Sequence, residues 1–242
     1  MVPPELRYAV WQRRMLRGLP AGSAAEVERR FAQIAATIDR DRLRRLHARQ
    51  RDASADHRDA CHHELKLRIA IVKAMVMGLH RGPRRRILDL GHGGGYFVLA
   101  CRHLGHACDG TEVPEDHMPA AAVALYAELT AALGYHDGQR LRIERGRPIE
   151  LPGGAVTYDV ISAHKICFND HRKPTEWTTP AWRSFVTDIR RFLAPHGRLV
   201  LELNEHVARY GALRWYDAEL RDYFASVGTV AGNWITIRRD PA

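Results

Sequence analysis

The chain has 242 residues, 45% of them hydrophobic and 27% charged, a balance that excludes a disordered polymer and suits one or two folded domains. No run approaches the roughly 18 consecutive apolar residues of a membrane span, and Met1 to Arg17 carries Glu5 and arginines where a secretory leader needs an apolar segment, so no membrane association and a cytoplasmic location are expected. The four cysteines, Cys61, Cys101, Cys108 and Cys167, form no CxxC pair, which excludes a radical iron–sulfur enzyme.

The net charge of +9 sits at one end: residues 1–86 hold 20 Lys/Arg against 9 Asp/Glu, and the remaining 156 hold 17 against 19. Such asymmetry suits an anionic partner, and it equally suits a solvated basic helical face. In this region Val27, Phe31, Ile34 and Ile38 recur at helical spacing, followed after a phase shift by Leu43 and Leu46, which predicts one amphipathic helix over roughly 25–50. Leu65, Ile69, Val72 and Val76 predict a second helix that ends near Gly78, with Gly82-Pro83 breaking the chain beyond it. Residues 1–84 therefore read as a basic helical extension, too small and polar to hold much core, that packs as a lid on a domain spanning 85–242.

Beyond Pro83, short apolar runs alternate with helical stretches, the signature of βαβ units and a parallel sheet. Ile87 to Leu90 reads as the first strand, Tyr96 to Cys101 as a helix, Ala107 to Thr111 as the second strand, and about 116–133 as a helix. Later strand candidates are Leu141 to Ile143, Tyr158 to Ala163, Leu199 to Leu203, Val227 to Val230 and Trp234 to Ile237, with helices near 181–193 and 216–224 between them. The last two strands, separated by Ala231-Gly232-Asn233, predict a terminal hairpin and hence an antiparallel strand in the sheet.

The glycine run between first strand and helix carries the strongest chemical signal. Gly91, Gly93 and Gly95 permit backbone conformations closed to other residues and leave no side chain between main chain and ligand where a helix begins. Glu112, 21 positions beyond Gly91, ends the second strand, where a carboxylate can accept hydrogen bonds from ribose hydroxyls. Tyr96 stands where a dinucleotide fingerprint needs Gly or Ala, which disfavours a pyrophosphate, and no lysine followed by Ser/Thr closes a P-loop.

Asp89-Leu90-Gly91-His92-Gly93-Gly94-Gly95-Tyr96-Phe97 resembles motif I of the class I S-adenosylmethionine (SAM)-dependent methyltransferases. Gly105 to Glu112, Tyr158 to Ala163, and Leu193 to Glu202 are similar to that family's second, fourth and fifth strand segments, so the resemblance spans about 85–240. It implies a Rossmann-like α/β fold with a mostly parallel sheet, an antiparallel C-terminal hairpin strand and an N-terminal helical extension. It further implies SAM as cofactor, with Asp89, Gly91, His92, Gly93, Gly95, Tyr96, Phe97, Glu112, Val113, Ala163 and His164 as its binding residues. His92 departs from the small residue or cysteine common at its position, and its side chain is expected at the methionine end of the cofactor or in solvent. Glu144-Arg145-Gly146-Arg147 lacks the acid at the place where many members contact adenine, which leaves Glu144 or an arginine backbone for that contact.

Methyl transfer from a sulfonium is an in-line displacement, so a base is needed only when the acceptor must lose a proton. His164 directly follows the fourth strand and His171 lies in the loop beyond it beside Asn169 and Asp170, which makes these two the candidate bases. The sequence Ala163-His164-Lys165-Ile166 is not the Asn/Asp-Pro-Pro-aromatic tetrapeptide of nucleobase amino-methyltransferases, and Cys167 is not in a Pro-Cys pair. A zinc site drawn from Cys101, His103, His106 and Cys108 is rejected, because a helix end, a turn and a strand point these side chains apart. Trp182 is expected in the core with Phe185 and Ile189, and Trp177, Trp215 and Tyr216 are candidates for an acceptor pocket.

The leading expectation is a methyltransferase for a small-molecule acceptor, with lid arginines meeting an anionic group on it. The alternatives are an RNA-modifying methyltransferase that grips phosphates through residues 1–86 and a scaffold that binds SAM without catalysis. No metal is expected, and the sequence is silent on oligomeric state.

Overall fold

The computed structural model describes residues 4–53, 63–114, 120–135, 139–151, 156–165, 177–203 and 218–239. They fall into two compact units, the first drawn from residues 1–84, 93–107 and 118–137, the second from 85–92, 108–117 and 138–242.

The first unit is helical: α1 (Pro4–Met15), α2 (Ser23–Ala35), α3 (Arg40–Ala53), α4 (His63–Val76), α5 (Tyr96–His103) and α6 (Ala120–Ala132). Helix α1 was not anticipated by its mixed pattern. The single helix expected over 25–50 is in fact two, and the phase shift in its apolar stripe marks the break. Asp39 ends the interruption by accepting the Arg42 N–H on Oδ1 at 2.8 Å, which satisfies one of the unpaired donors at the start of α3. The break lets Val27, Phe31 and Ile34 on one helix and Leu43 and Leu46 on the next all be buried. Leu43 and Leu46 pack with Leu129, Ala132 and Leu133 in and after α6, and Arg49 bridges to Glu128 at 2.9 Å on the rim.

Helix α4 departs from its expected stripe. Of Leu65, Ile69, Val72 and Val76 only Val72 is fully buried, whereas Leu67, Ala70, Ile71, Ala74 and Met75 are buried with it, so the helix is enclosed on most sides. Several arginines of this unit pair with acids already counted in its charge, so its basic excess stands. Glu26 accepts from Arg29 and Arg30, Glu64 from Arg40, Glu28 from Arg68, and Asp41 from Arg44.

The second unit contains the sheet, in the order β3-β2-β1-β4-β5-β7-β6. Its strands are β1 (Arg86–Leu90), β2 (Ala107–Glu112), β3 (Gln139–Arg140), β4 (Tyr158–His164), β5 (Leu193–Glu202), β6 (Thr229–Ala231) and β7 (Trp234–Arg238). β1 pairs parallel with β4, and β4 parallel with β5, while β7 runs antiparallel to β5 and to β6. The mostly parallel sheet with an antiparallel terminal hairpin is the arrangement the sequence implied. The third strand differs: it occupies Gln139–Arg140 rather than Leu141 to Ile143, and Leu141 only donates its N–H to Glu112 O. β1 is buried along four of its five residues, as expected of a central parallel strand.

Helices α7 (Thr179–Ile189) and α8 (Ala218–Val227) bring Trp182, Phe185 and Phe224 onto this sheet's core. The Trp182 ring meets those of Phe185 and Phe224 edge-on at 5.9 and 5.5 Å, a favourable aromatic geometry. Trp177, a pocket candidate from sequence, instead packs its ring 5.1 Å from Trp182 and 5.8 Å from Phe185. Among the described residues no helix is long and apolar enough to cross a membrane.

Candidate active site

Open parallel sheets bind ligands beyond the carboxyl ends of their strands. In the second unit, the register sets Asp89 of β1 beside Ser162 of β4, Leu90 beside Ala163, and His164 beside Glu202 of β5. The Ser162 hydroxyl donates to Asp89 Oδ1 at 2.8 Å, and both side chains are buried. Asp89 therefore ties the first strand to the fourth and fixes where the following bend leaves the sheet. Gly91 then turns the chain at φ +67°. His92 donates its N–H to Thr111 O at 2.9 Å, which lays the bend beside the end of β2.

The His92 ring does not face solvent. It is buried against β2 at Gly110, where a Cβ would come within 2.7–2.8 Å of three His92 atoms. The departure from a small residue at 92 is thus compensated by a missing side chain at 110. Glu112 closes β2 with its side chain largely buried, at 8% exposure, and its Oε1 accepts the Val113 N–H at 2.9 Å. That bond orients the carboxylate at the strand end, while Val113 beyond it is exposed.

The ends of β4, β5 and β7 form a second cluster in the same unit. His164, Glu202 and Trp234 stand in one register row across the three strands. His164 Nδ1 lies 3.2 Å from Glu202 Oε2, and the Lys165 ammonium lies 3.8 Å from Oε1 of the same carboxylate. Trp234 meets the His164 ring edge-on at 5.6 Å. Glu202 is 2% exposed, and a buried carboxylate is stable only where cations or donors face it. A carboxylate beside Nδ1 orients the imidazole, the logic by which an acid positions a catalytic histidine.

The sequence reading does not pair Glu202 with His164. Nothing in the chain marks it as the partner of a histidine 38 positions earlier, because the pairing comes from β4–β5 register. Ala163, the residue before His164 on β4, is buried. His171, Cys167, Asn169, Asp170, Cys61, Trp215 and Tyr216 lie outside the described residues.

In the first unit, the rest of the glycine run enters α5. Gly93 and Gly95 have φ of +54° and +78°, in the left-handed region that favours glycine. Tyr96 opens α5 half-buried, and Phe97 is buried. A hydrogen bond joins the Tyr96 hydroxyl to Nδ1 of the buried His63 at the start of α4. His106 Nε2 is engaged by Leu79 O at 2.6 Å. Among the described residues no group of three or more His, Cys, Asp or Glu side chains is arranged to hold a metal.

No family model matches the chain, and no curated protein matches it. Solved structures similar to it include methyltransferases. A ribosomal protein L11 methylase from Lactobacillus delbrueckii subsp. bulgaricus is 15% identical at a TM-score of 0.40, covering 72% of this chain and 75% of that one. A TehB-like SAM-dependent methyltransferase from Corynebacterium glutamicum is 16% identical at 0.38, covering 69% and 83%. An amino pentose methyltransferase from Micromonospora echinaspora, solved with SAM bound, is 25% identical at 0.37, covering 58% of this chain and 51% of that one. The assignment of architecture rests on the chain's own strand order and pairing.

Proposed function

We propose that the protein is a SAM-dependent methyltransferase whose acceptor is a small molecule bearing an anionic group. The observation that carries this reading is Glu112, a largely buried carboxylate at the end of β2, oriented by the Val113 N–H and set beside the turn at Gly91–His92. A nucleoside suits such a place: a charged acceptor meets ribose hydroxyls, and Gly91 puts no side chain between main chain and ligand. When bound, SAM supplies a methyl group on a positively charged sulfur, open to in-line attack.

The chain's own residues supply the remaining chemistry. Glu112 holds the ribose, and Asp89, anchored by Ser162, keeps the bend in place. His164, its imidazole oriented by Glu202, would take up the proton that the acceptor gives up. The buried Glu202 carboxylate balances the imidazolium so formed. The acceptor's anionic group is supported by the +11 balance of residues 1–86.

Incubating the protein with SAM and a panel of hydroxyl- and amine-bearing acids tests the reading. The expected product carries the mass of one added CH2 with stoichiometric S-adenosylhomocysteine (SAH). Transfer only to RNA, with binding that falls steeply as salt rises, would replace the small-molecule acceptor with a nucleic acid.

A further inference from the structure

Resting on the methyltransferase reading, we propose that His63 and Tyr96 act as a positioning pair for the cofactor-binding bend. Tyr96 is the first residue of α5, directly after the glycines. Its ring folds back over Gly94, where a Cβ would lie 2.7 Å from Cε2 and 3.3 Å from two further ring atoms. Its hydroxyl is hydrogen-bonded to Nδ1 of His63, the first residue of α4, 33 positions earlier. The two rings lie nearly parallel, 22° apart, with centroids separated by 6.1 Å.

Each part of this arrangement answers a different need. Any aromatic ring would cover Gly94, but only a tyrosine reaches the imidazole. Burying an imidazole is costly unless it is hydrogen-bonded, so a histidine that is 4% exposed is a poor choice for packing alone. What the pair adds is direction: the hydrogen bond between phenol and imidazole holds the ring in one rotamer on the bend. Glycines 93 to 95 have the widest conformational freedom of any residues, and a ligand that had to order them would bind at that entropic cost. A ring fixed over Gly94 removes part of it before the ligand arrives. The N-terminal helices thereby take part in holding the cofactor loop, beyond any role over the acceptor.

The test uses calorimetric titration of the full chain with SAH, at a temperature where every variant is folded. Tyr96→Phe keeps the ring and removes the hydroxyl, and is expected to weaken binding roughly five- to tenfold, the effect of one net hydrogen bond. His63→Leu should lose the same amount, and the double variant no more than either single one. His63→Asn, whose amide can stand in for Nδ1, should recover most of the loss. A purely structural role would lower the melting temperature of these variants and leave the affinity of the folded protein unchanged. In the ligand-free protein, the imidazole nitrogen resonances of His63 should shift on Tyr96→Phe. Equal affinity in Tyr96→Phe and wild type, additive losses in the double variant, or unshifted His63 resonances would each overturn the pair while wild-type binding of SAH leaves the methyltransferase reading standing. A wild-type protein that binds neither SAM nor SAH would overturn that reading and the pair's role with it.

Discussion

Replacing Glu112 separates its two duties. The carboxylate accepts the Val113 N–H at 2.9 Å on one oxygen and, in the proposed role, receives ribose hydroxyls. Glu112→Gln keeps an amide oxygen for the Val113 N–H and gives up the charge, whereas Glu112→Ala gives up both. A hydrogen bond to a charged group contributes about 1.5–3 kcal/mol and a neutral one about 0.5–1.5 kcal/mol, so the glutamine variant should bind SAH roughly five- to tenfold more weakly and the alanine variant roughly 10- to 100-fold. Val113 is exposed, so water can take its N–H in the alanine variant and the fold should survive, as circular dichroism would register. Calorimetric titration of SAH into the three proteins reads the ladder directly. Three equal affinities in three folded proteins would remove Glu112 from the cofactor site.

Four further variants have outcomes set by the geometry. Gly110→Ala should force the His92 ring off β2, costing about 1–3 kcal/mol as an overpacked core does, and a urea midpoint equal to that of wild type would show the contact to be slack. His164→Ala should lower turnover by roughly 10²–10⁴-fold, far more than it weakens cofactor binding, as loss of a general base does. Glu202→Gln should lower turnover with it, and undiminished turnover in both variants would mean that the acceptor needs no base here. On the surface, hydrogen bonds from Arg29 and Arg30 lower the Glu26 carboxyl from its ordinary 4.5 to about 2. Because its folded value is depressed, its contribution to stability is complete above pH 4.5 and fades as the pH falls toward 2. The group is solvent-facing, which limits that contribution to about 0.5–1 kcal/mol. Glu26→Gln should therefore destabilise at neutral pH and have no effect near the acid end, and an equal effect at both would show that the pairing contributes nothing.

The sheet was legible in the sequence wherever hydrophobic runs were long and bounded by glycines. Ile87 to Leu90, Tyr158 to Ala163 and the hairpin around Gly232-Asn233 are strands because they are buried on both faces or closed by a tight turn, and both causes leave a mark on the chain. The short β3 left none, since two residues paired to β2 carry no periodicity. In the helical region the stripe at Val27 to Ile38 was readable, yet no Gly or Pro announces the break at Asp39, and the phase of the stripe was its clearest mark. The glycine bend and Glu112 were legible because their chemistry demands particular residue types at a fixed spacing. The pairing of His164 with Glu202, of His92 with Gly110, and of Tyr96 with His63 was not, because each joins positions distant in sequence whose meeting is decided by register and packing.

The central claim is that this bend and this carboxylate hold S-adenosylmethionine. Titrating the intact protein with SAH, and with ATP and NAD as controls, tests it most directly. The account predicts saturable one-to-one binding of SAH that SAM displaces, with neither control competing. Heat signals indistinguishable from dilution for SAH at millimolar concentration, from protein that circular dichroism shows to be folded, would contradict it.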